Sequence, residues 1–318
     1  MKKQLLIAAV AATMTSVAFA DISITGGAKV NYTNTDANSV TSSTVTNEAD
    51  LLIKGTNGGT TVHIEVAVDS ADNGSAAGVE DSWVSTSIGD VAVKTGTWNP
   101  GDTIFTGNGT RTSGNWILSS TVSGVKVAVE GDSGASAVKT TLSGDIAGVT
   151  TKFSMKGADA NGKTSNELFL SSDVAGFGVT YAMIDSKATT ADAAAFTIAK
   201  EFNGVTVSYS DVDADANYTV AGDTAAFGNA AGLGNGGMKA GDDASSIKFA
   251  TSMAGNTVSA RFVQVDGLIA TNDADVNTFQ LTRPLASGAT FEVTYTDTDM
   301  TGATNDKEVL DMELAVKF

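Results

Sequence analysis

The residues of this sequence that could do chemistry are few. His63 is the single histidine and there is no cysteine, so thiol nucleophiles, disulfides and thiolate metal sites drop out at once. Glu65 follows His63 by two positions, but no serine on a sharp elbow and no second base accompanies it. A nucleophilic triad or a zinc site is hard to build from that set, and a solvated wall residue is the reading that remains. Asp211, Asp213, Asp215 and Asn217 stand two apart, like the opening of a calcium loop. Ala216 takes the place of the required glycine and Gly222 that of the closing glutamate, which excludes an EF-hand and leaves only a loose Ca²⁺ or Mg²⁺ site at the base of an acidic loop. Gly232 to Gly237 carries the spacing G-x-G-x-x-G, yet it sits in a loop rich in Gly and Ala without the strand before it and the helix after it that phosphate binding needs. Neither an enzyme nor a cofactor is indicated.

The charged residues become informative when the elements that hold them are read. In a strand, alternate side chains point to opposite faces. In Val309 to Phe318, Leu310, Met312, Leu314, Val316 and Phe318 fall on one parity and Asp311, Glu313, Ala315 and Lys317 on the other. Such a two-faced segment suits a transmembrane barrel strand with lipid outside and water inside. The same alternation recurs upstream: Val62, Ile64, Val66 and Val68 oppose His63, Glu65, Ala67 and Asp69. Asn57-Gly58 and Asn203-Gly204 supply dipeptides that suit tight hairpin turns. The expected inward set comprises Lys54, His63, Glu65, Lys94, Lys126, Glu130, Lys152 and Arg261. Lys29, Lys139, Lys156, Lys248, Glu167, Glu201, Glu292, Asp311 and Glu313 share that parity, so the two signs nearly balance within the lumen.

The pattern predicts an all-β chain: a closed antiparallel transmembrane β-barrel of about eighteen strands, with sixteen as the alternative. An even number brings both ends to one side, and closure removes exposed edges. Short turns alternate with longer loops at Asp36 to Val45, Ser70 to Glu80, Trp98 to Gly114 and Ala214 to Ala244, as expected when the two rims face different compartments. Phe177, Phe202, Phe291 and Phe318 cluster beside the short turns and are expected in an interfacial girdle.

Lys2 and Lys3 precede an apolar run closed by Ala18-Phe19-Ala20, which reads as a secretory signal peptide over residues 1–20, leaving residues 21–318 as the barrel domain. The barrel is expected in the cell outer membrane, in contact with its lipid and lipopolysaccharide. Gly 34 against Pro 2 fits many strands and turns, because Pro cannot donate to a sheet ladder. A formal charge of −17 argues against a nucleic-acid partner, since such a surface repels phosphate. The excess acid is expected in the loops, where it favours cations at the mouth and predicts a mild cation preference.

Trp83 to Gly96, Trp-Val-Ser-Thr-Ser-Ile-Gly-Asp-Val-Ala-Val-Lys-Thr-Gly, resembles the fourth and fifth strands of the general porins of Gram-negative bacteria. The resemblance implies that Trp98 to Gly114 folds into the pore as a constriction loop, with Asp102, Thr103, Phe105 and Arg111 at the narrowing. It also implies a homotrimer passing ions and small hydrophilic solutes by passive diffusion. The terminal alternation of Leu314, Val316 and Phe318 resembles the signal read by the outer-membrane assembly machinery. Family members usually have sixteen strands and a more acidic loop. A non-conducting adhesin or structural barrel is the alternative function, separated by whether the purified protein conducts.

Overall fold

The computed structural model describes residues 21–69, 77–99, 112–134, 137–158, 164–186, 191–215, 242–267, 273–301 and 306–318. Eighteen strands form one sheet. The first six are β1 (Asp21–Ala37), β2 (Val40–Asn57), β3 (Thr60–Asp69), β4 (Ala77–Ile88), β5 (Val91–Trp98) and β6 (Thr112–Val122). Next come β7 (Val125–Gly131), β8 (Lys139–Ile146), β9 (Val149–Lys156), β10 (Ser165–Val174), β11 (Phe177–Ser186) and β12 (Ala191–Phe202). The last six are β13 (Val205–Ala214), β14 (Asp243–Met253), β15 (Asn256–Asp266), β16 (Ala274–Pro284), β17 (Ala289–Met300) and β18 (Lys307–Lys317). Each strand pairs antiparallel with its neighbours in sequence, and β1 pairs with β18 from Gly27↔Lys317 to Ala37↔Lys307, so the sheet closes into a barrel. The count is eighteen, not sixteen. The described residues include no helix.

Local chemistry accounts for the hairpins at one rim. Asn203 and Gly204 both have positive φ, 51° and 81°, the combination of the turn whose twist matches antiparallel strands. Ala147-Gly148, Ala175-Gly176 and Ala254-Gly255 repeat the arrangement. At the other rim the expected loop from Asp36 to Val45 is absent: β1 and β2 continue and turn through Asn38 and Ser39, at φ 54° and 63°. Val40 to Thr46 is rich in β-branched residues and pairs along β1, from Ala37↔Val40 to Asn31↔Thr46. The expected loop from Ser70 to Glu80 is likewise shortened, because β4 begins at Ala77. Residues 1–20, the expected signal peptide, lie outside the described residues.

Register carries one parity all the way round. Leu314 faces Val30, Ile24 faces Ile53, and Ile53 faces Ile64. Val30, Ile24, Val62, Val84, Leu118, Phe262, Phe279 and Leu314 are all open to the exterior. This outer face is the lipid-facing surface of a closed barrel. The opposite parity, with Lys29 beside Glu48 and Lys54 beside His63, faces the interior.

Candidate functional site

Among the described residues, the inner wall gathers charge, aromatics and polar ladders in a confined space. All eight expected lining residues share its parity: Lys54 faces His63, Glu65 faces Leu52, Lys94 faces Ser85, Lys126 and Lys152 both face Ser143, Glu130 faces Lys139, and Arg261 faces Lys248.

Around β3 to β6 the wall is built by stacking. The His63 and Trp83 rings lie face to face, centroids 4.5 Å apart and planes 15° apart. Lys94 Nζ sits 4.3 Å from the Trp83 ring and 4.2 Å from the Trp98 ring, a cation held by two indoles. Trp98 is only 4% exposed, and the Asn115 side-chain amide donates to its carbonyl at 2.9 Å. Gly96, at φ 142°, lets β4 approach: a Cβ there would overlap the Ser82 carbonyl oxygen and the Trp83 backbone. Two register shifts bracket this patch, one between Ile64 and Val66 on β3 and one between Gly96 and Trp98 on β5. Bulges at such places re-aim side chains.

On β7 to β10 the wall carries an ion-pair chain. Lys139 Nζ lies 3.9 Å from Glu130 and 3.3 Å from Glu167, with Lys139 and Glu167 both nearly buried. On the acidic side, Lys29 pairs with Glu48 at 2.8 Å, and the Thr282 hydroxyl donates to Glu292 at 2.9 Å.

Closure sorts the signs. β17, β18, β2 and β3 carry Glu292, Asp311, Glu313, Glu48, Asp50 and Glu65 inward, and β5 to β9 carry Lys94, Lys126, Lys139, Lys152 and Lys156. The two signs nearly balance around the lumen, but β17 to β3 is acidic on balance although it also holds Lys29 and Lys54, and β5 to β9 is basic on balance although it also holds Glu130. The remaining sector departs from a polar lining. Ile184, Ala193, Ala195, Val212, Ala214, Ala244, Val263 and Val265 face inward on β11 to β15 and form a solvent-excluded cluster, with Ile184 and Val212 each 1% exposed. The sequence reading missed it because small apolar residues such as Ala193 to Ala195 occupy both faces of β12 and hide its parity.

Asp211 and Asp213 lie in the last residues of β13 and, with Asp215 just after it, are exposed on the outer face. Asp211 accepts a hydrogen bond from the Tyr209 hydroxyl at 3.0 Å. Much of the acid assigned to loops belongs to this outer surface. Asp185 faces Asp192, Asp213 faces Asp243, Asp243 faces Asp266, Asp275 faces Asp299, and Asp297 and Asp36 both face Glu308. The expected constriction residues Asp102, Thr103, Phe105 and Arg111, and the Gly-rich stretch from Gly232, lie outside the described residues. Leu314 and Phe318 face outward, 48% and 69% exposed, as does Val316. Lys200 Nζ lies 3.9 Å from the Phe177 ring and 5.7 Å from the Phe202 ring, which places a cation within the aromatic girdle.

A closed, eighteen-stranded, lipid-faced barrel is the architecture of outer-membrane β-barrel proteins. No protein-family model matches the sequence, and no curated protein matches it. Solved structures do match along nearly the whole chain. The outer membrane protein OprD of Pseudomonas aeruginosa aligns at a TM-score of 0.72 with 11% identity, over 94% of this chain and 94% of that one. OccK10 of the same organism aligns at 0.71 with 12% identity, over 94% and 99%. OccAB4 of Acinetobacter baumannii aligns at 0.68 with 10% identity, over 94% and 98%. At these identities the likeness establishes the fold. The trimer implied by the general-porin resemblance gains no support from it.

Proposed function

We propose that the chain is an outer-membrane channel for the passive passage of small hydrophilic solutes, with a preference for those that carry both charges. The observation that carries this reading is the excess of inward acid on β17 to β3 over Lys29 and Lys54, against the excess of inward cations on β5 to β9 over Glu130. A solute with separated charges aligns between such sectors and recovers part of the hydration it sheds on entering, whereas a neutral solute of the same size recovers less. The fold likeness to OprD and the Occ channels supports a pore over an adhesin. The connection between Trp98 and Thr112 narrows the path in this reading, a cleaved segment 1–20 directs export, and the excess outer acid gives a mild cation preference at low salt.

Liposome swelling with a zwitterion and a neutral solute of matched size tests the reading. Faster swelling with the zwitterion supports it, and equal rates remove the dipolar preference. A purified barrel that does not conduct in planar bilayers removes the channel itself and leaves the adhesin. One chain closes one complete barrel, so conduction does not require a trimer. Three equal closing steps per insertion event would reveal one, and a single step a monomer.

A further inference from the structure

Glu65 faces two residues across the β3–β4 ladder instead of one. The register passes from Ile64↔Ser82 to Val66↔Val79, so Glu80 and Asp81 together stand opposite Glu65. Asp81 shares the inward parity of Trp83 on β4, and one oxygen or nitrogen from each of His63, Glu65 and Asp81 lies within 4.8 Å of the others. Stacking on Trp83 fixes the plane of the His63 ring. Its Nε2 is buried and has no hydrogen-bond partner, an unfavourable state for a polar nitrogen cut off from water. Glu65 Oε2 lies 4.0 Å from that nitrogen, too far for a hydrogen bond.

A metal ion would span that gap. Imidazole nitrogen binds such ions at about 2.0–2.1 Å and carboxylate oxygen at about 2.0–2.2 Å, so two ligands of one ion stand up to roughly 4.2 Å apart. We propose that His63, Glu65 and Asp81 form a binding site for a borderline divalent transition ion, Zn²⁺ or Cu²⁺, in the inner wall of the barrel. One imidazole with two carboxylates suits these ions, whereas Ca²⁺ and Mg²⁺ favour oxygen alone. The two carboxylates offset the nearby cations: Lys54 faces His63 in register, and Lys94 is engaged by the Trp83 and Trp98 rings. Three protein ligands leave coordination positions open for water or a passing solute. A bound ion would place two positive charges on the wall at the acidic sector's edge. The site rests on β3 and β4 alone and does not depend on the chain conducting.

Tag-free, folded protein titrated with Zn²⁺ in a calorimeter is expected to bind one ion per chain. His63→Ala and Asp81→Asn should each weaken that binding at least about tenfold, while Asp243→Asn on the outer face leaves it unchanged. Because His63 is the single histidine, the electron paramagnetic resonance spectrum of the Cu²⁺-loaded wild type is expected to show coupling to one imidazole nitrogen. That measurement needs no variant and decides the matter even where His63→Ala fails to fold. A spectrum with oxygen ligands only, or a Zn²⁺ affinity that His63→Ala leaves intact, overturns the site.

Discussion

Phe318 and Gly26 join the two ends of the sheet. The Gly26 amide donates to the Phe318 main-chain oxygen at 2.9 Å, and the Phe318 amide donates to the Gly26 carbonyl at 3.0 Å. The Phe318 ring lies over the bare Cα of Gly26, where a Cβ would stand 2.7 Å from the ring Cζ. Aromatic cover of a strand glycine shields backbone that would otherwise be open. Here it does so at the seam that closes the barrel.

Deleting Phe318 therefore removes both hydrogen bonds and the ring that covers Gly26, and the folded fraction in the membrane should fall. Leu314→Lys places a charge on the lipid face, at a cost of up to roughly 2–4 kcal/mol at mid-depth. Asp311→Asn changes an inward residue and should leave folding intact while altering conduction. Heat-modifiable migration on gels reads the first two effects, and planar-bilayer conductance reads the third. A Leu314→Lys variant that assembles like the wild type would contradict the assignment of that face.

Gly96→Ala tests the packing of β4 on β5. The φ of 142° and the overlap with Ser82 and Trp83 leave no room for a methyl group. The variant should lose at least about 1 kcal/mol of stability, more than an ordinary Gly-to-Ala change at an unstrained site could gain. Trp83 should shift away from Lys94, so tryptophan emission changes along with the denaturation midpoint. An unchanged midpoint would show that the two strands separate freely.

The strand count, closure and inward parity of all eight lining residues were legible because a period of two survives in sequence, and one hairpin after another repeats it. Asp81 was not legible as a partner of His63: eighteen positions separate them in sequence, and only the pairing of β3 with β4 brings them together. The solvent-excluded wall around Ile184 and Val212 was hidden by alanines on both faces of β12. The outer acidic rows were not legible because Asp213, Asp243 and Asp266 lie far apart in sequence and meet only through strand pairing. Sorting of lumen charge follows from closure, which sets β17 and β18 beside β1 and β2 although they are distant in sequence.

Asp243→Asn should stabilise the barrel. Asp243 faces Asp213 on one side and Asp266 on the other, three outward carboxylates in register across three strands. Like charges directly opposite are unfavourable by roughly 0.2–1 kcal/mol per pair, and removing the central one relieves two such pairs. The midpoint of thermal unfolding should rise at low ionic strength. The gain should shrink as salt rises, because exposed charges are screened over about 8 Å at physiological ionic strength. A gain that persists in molar salt would assign the effect to something other than repulsion.

Lys126→Glu combined with Lys152→Glu tests the charge sorting on which the proposed selectivity rests. Both residues face Ser143 from opposite sides, at the middle of the basic sector. Reversing them removes the excess of inward cations on β5 to β9, so the pore should become more cation-selective. The difference in uptake between a zwitterion and its neutral counterpart should narrow at the same time, because the acidic sector then lacks a wall of opposite sign. Folding should be unaffected, since neither residue touches the lipid face. Reversal potentials in a salt gradient measure the first effect and liposome swelling the second. A reversal potential unmoved by two charge reversals would place the conducting path away from β7 and β9.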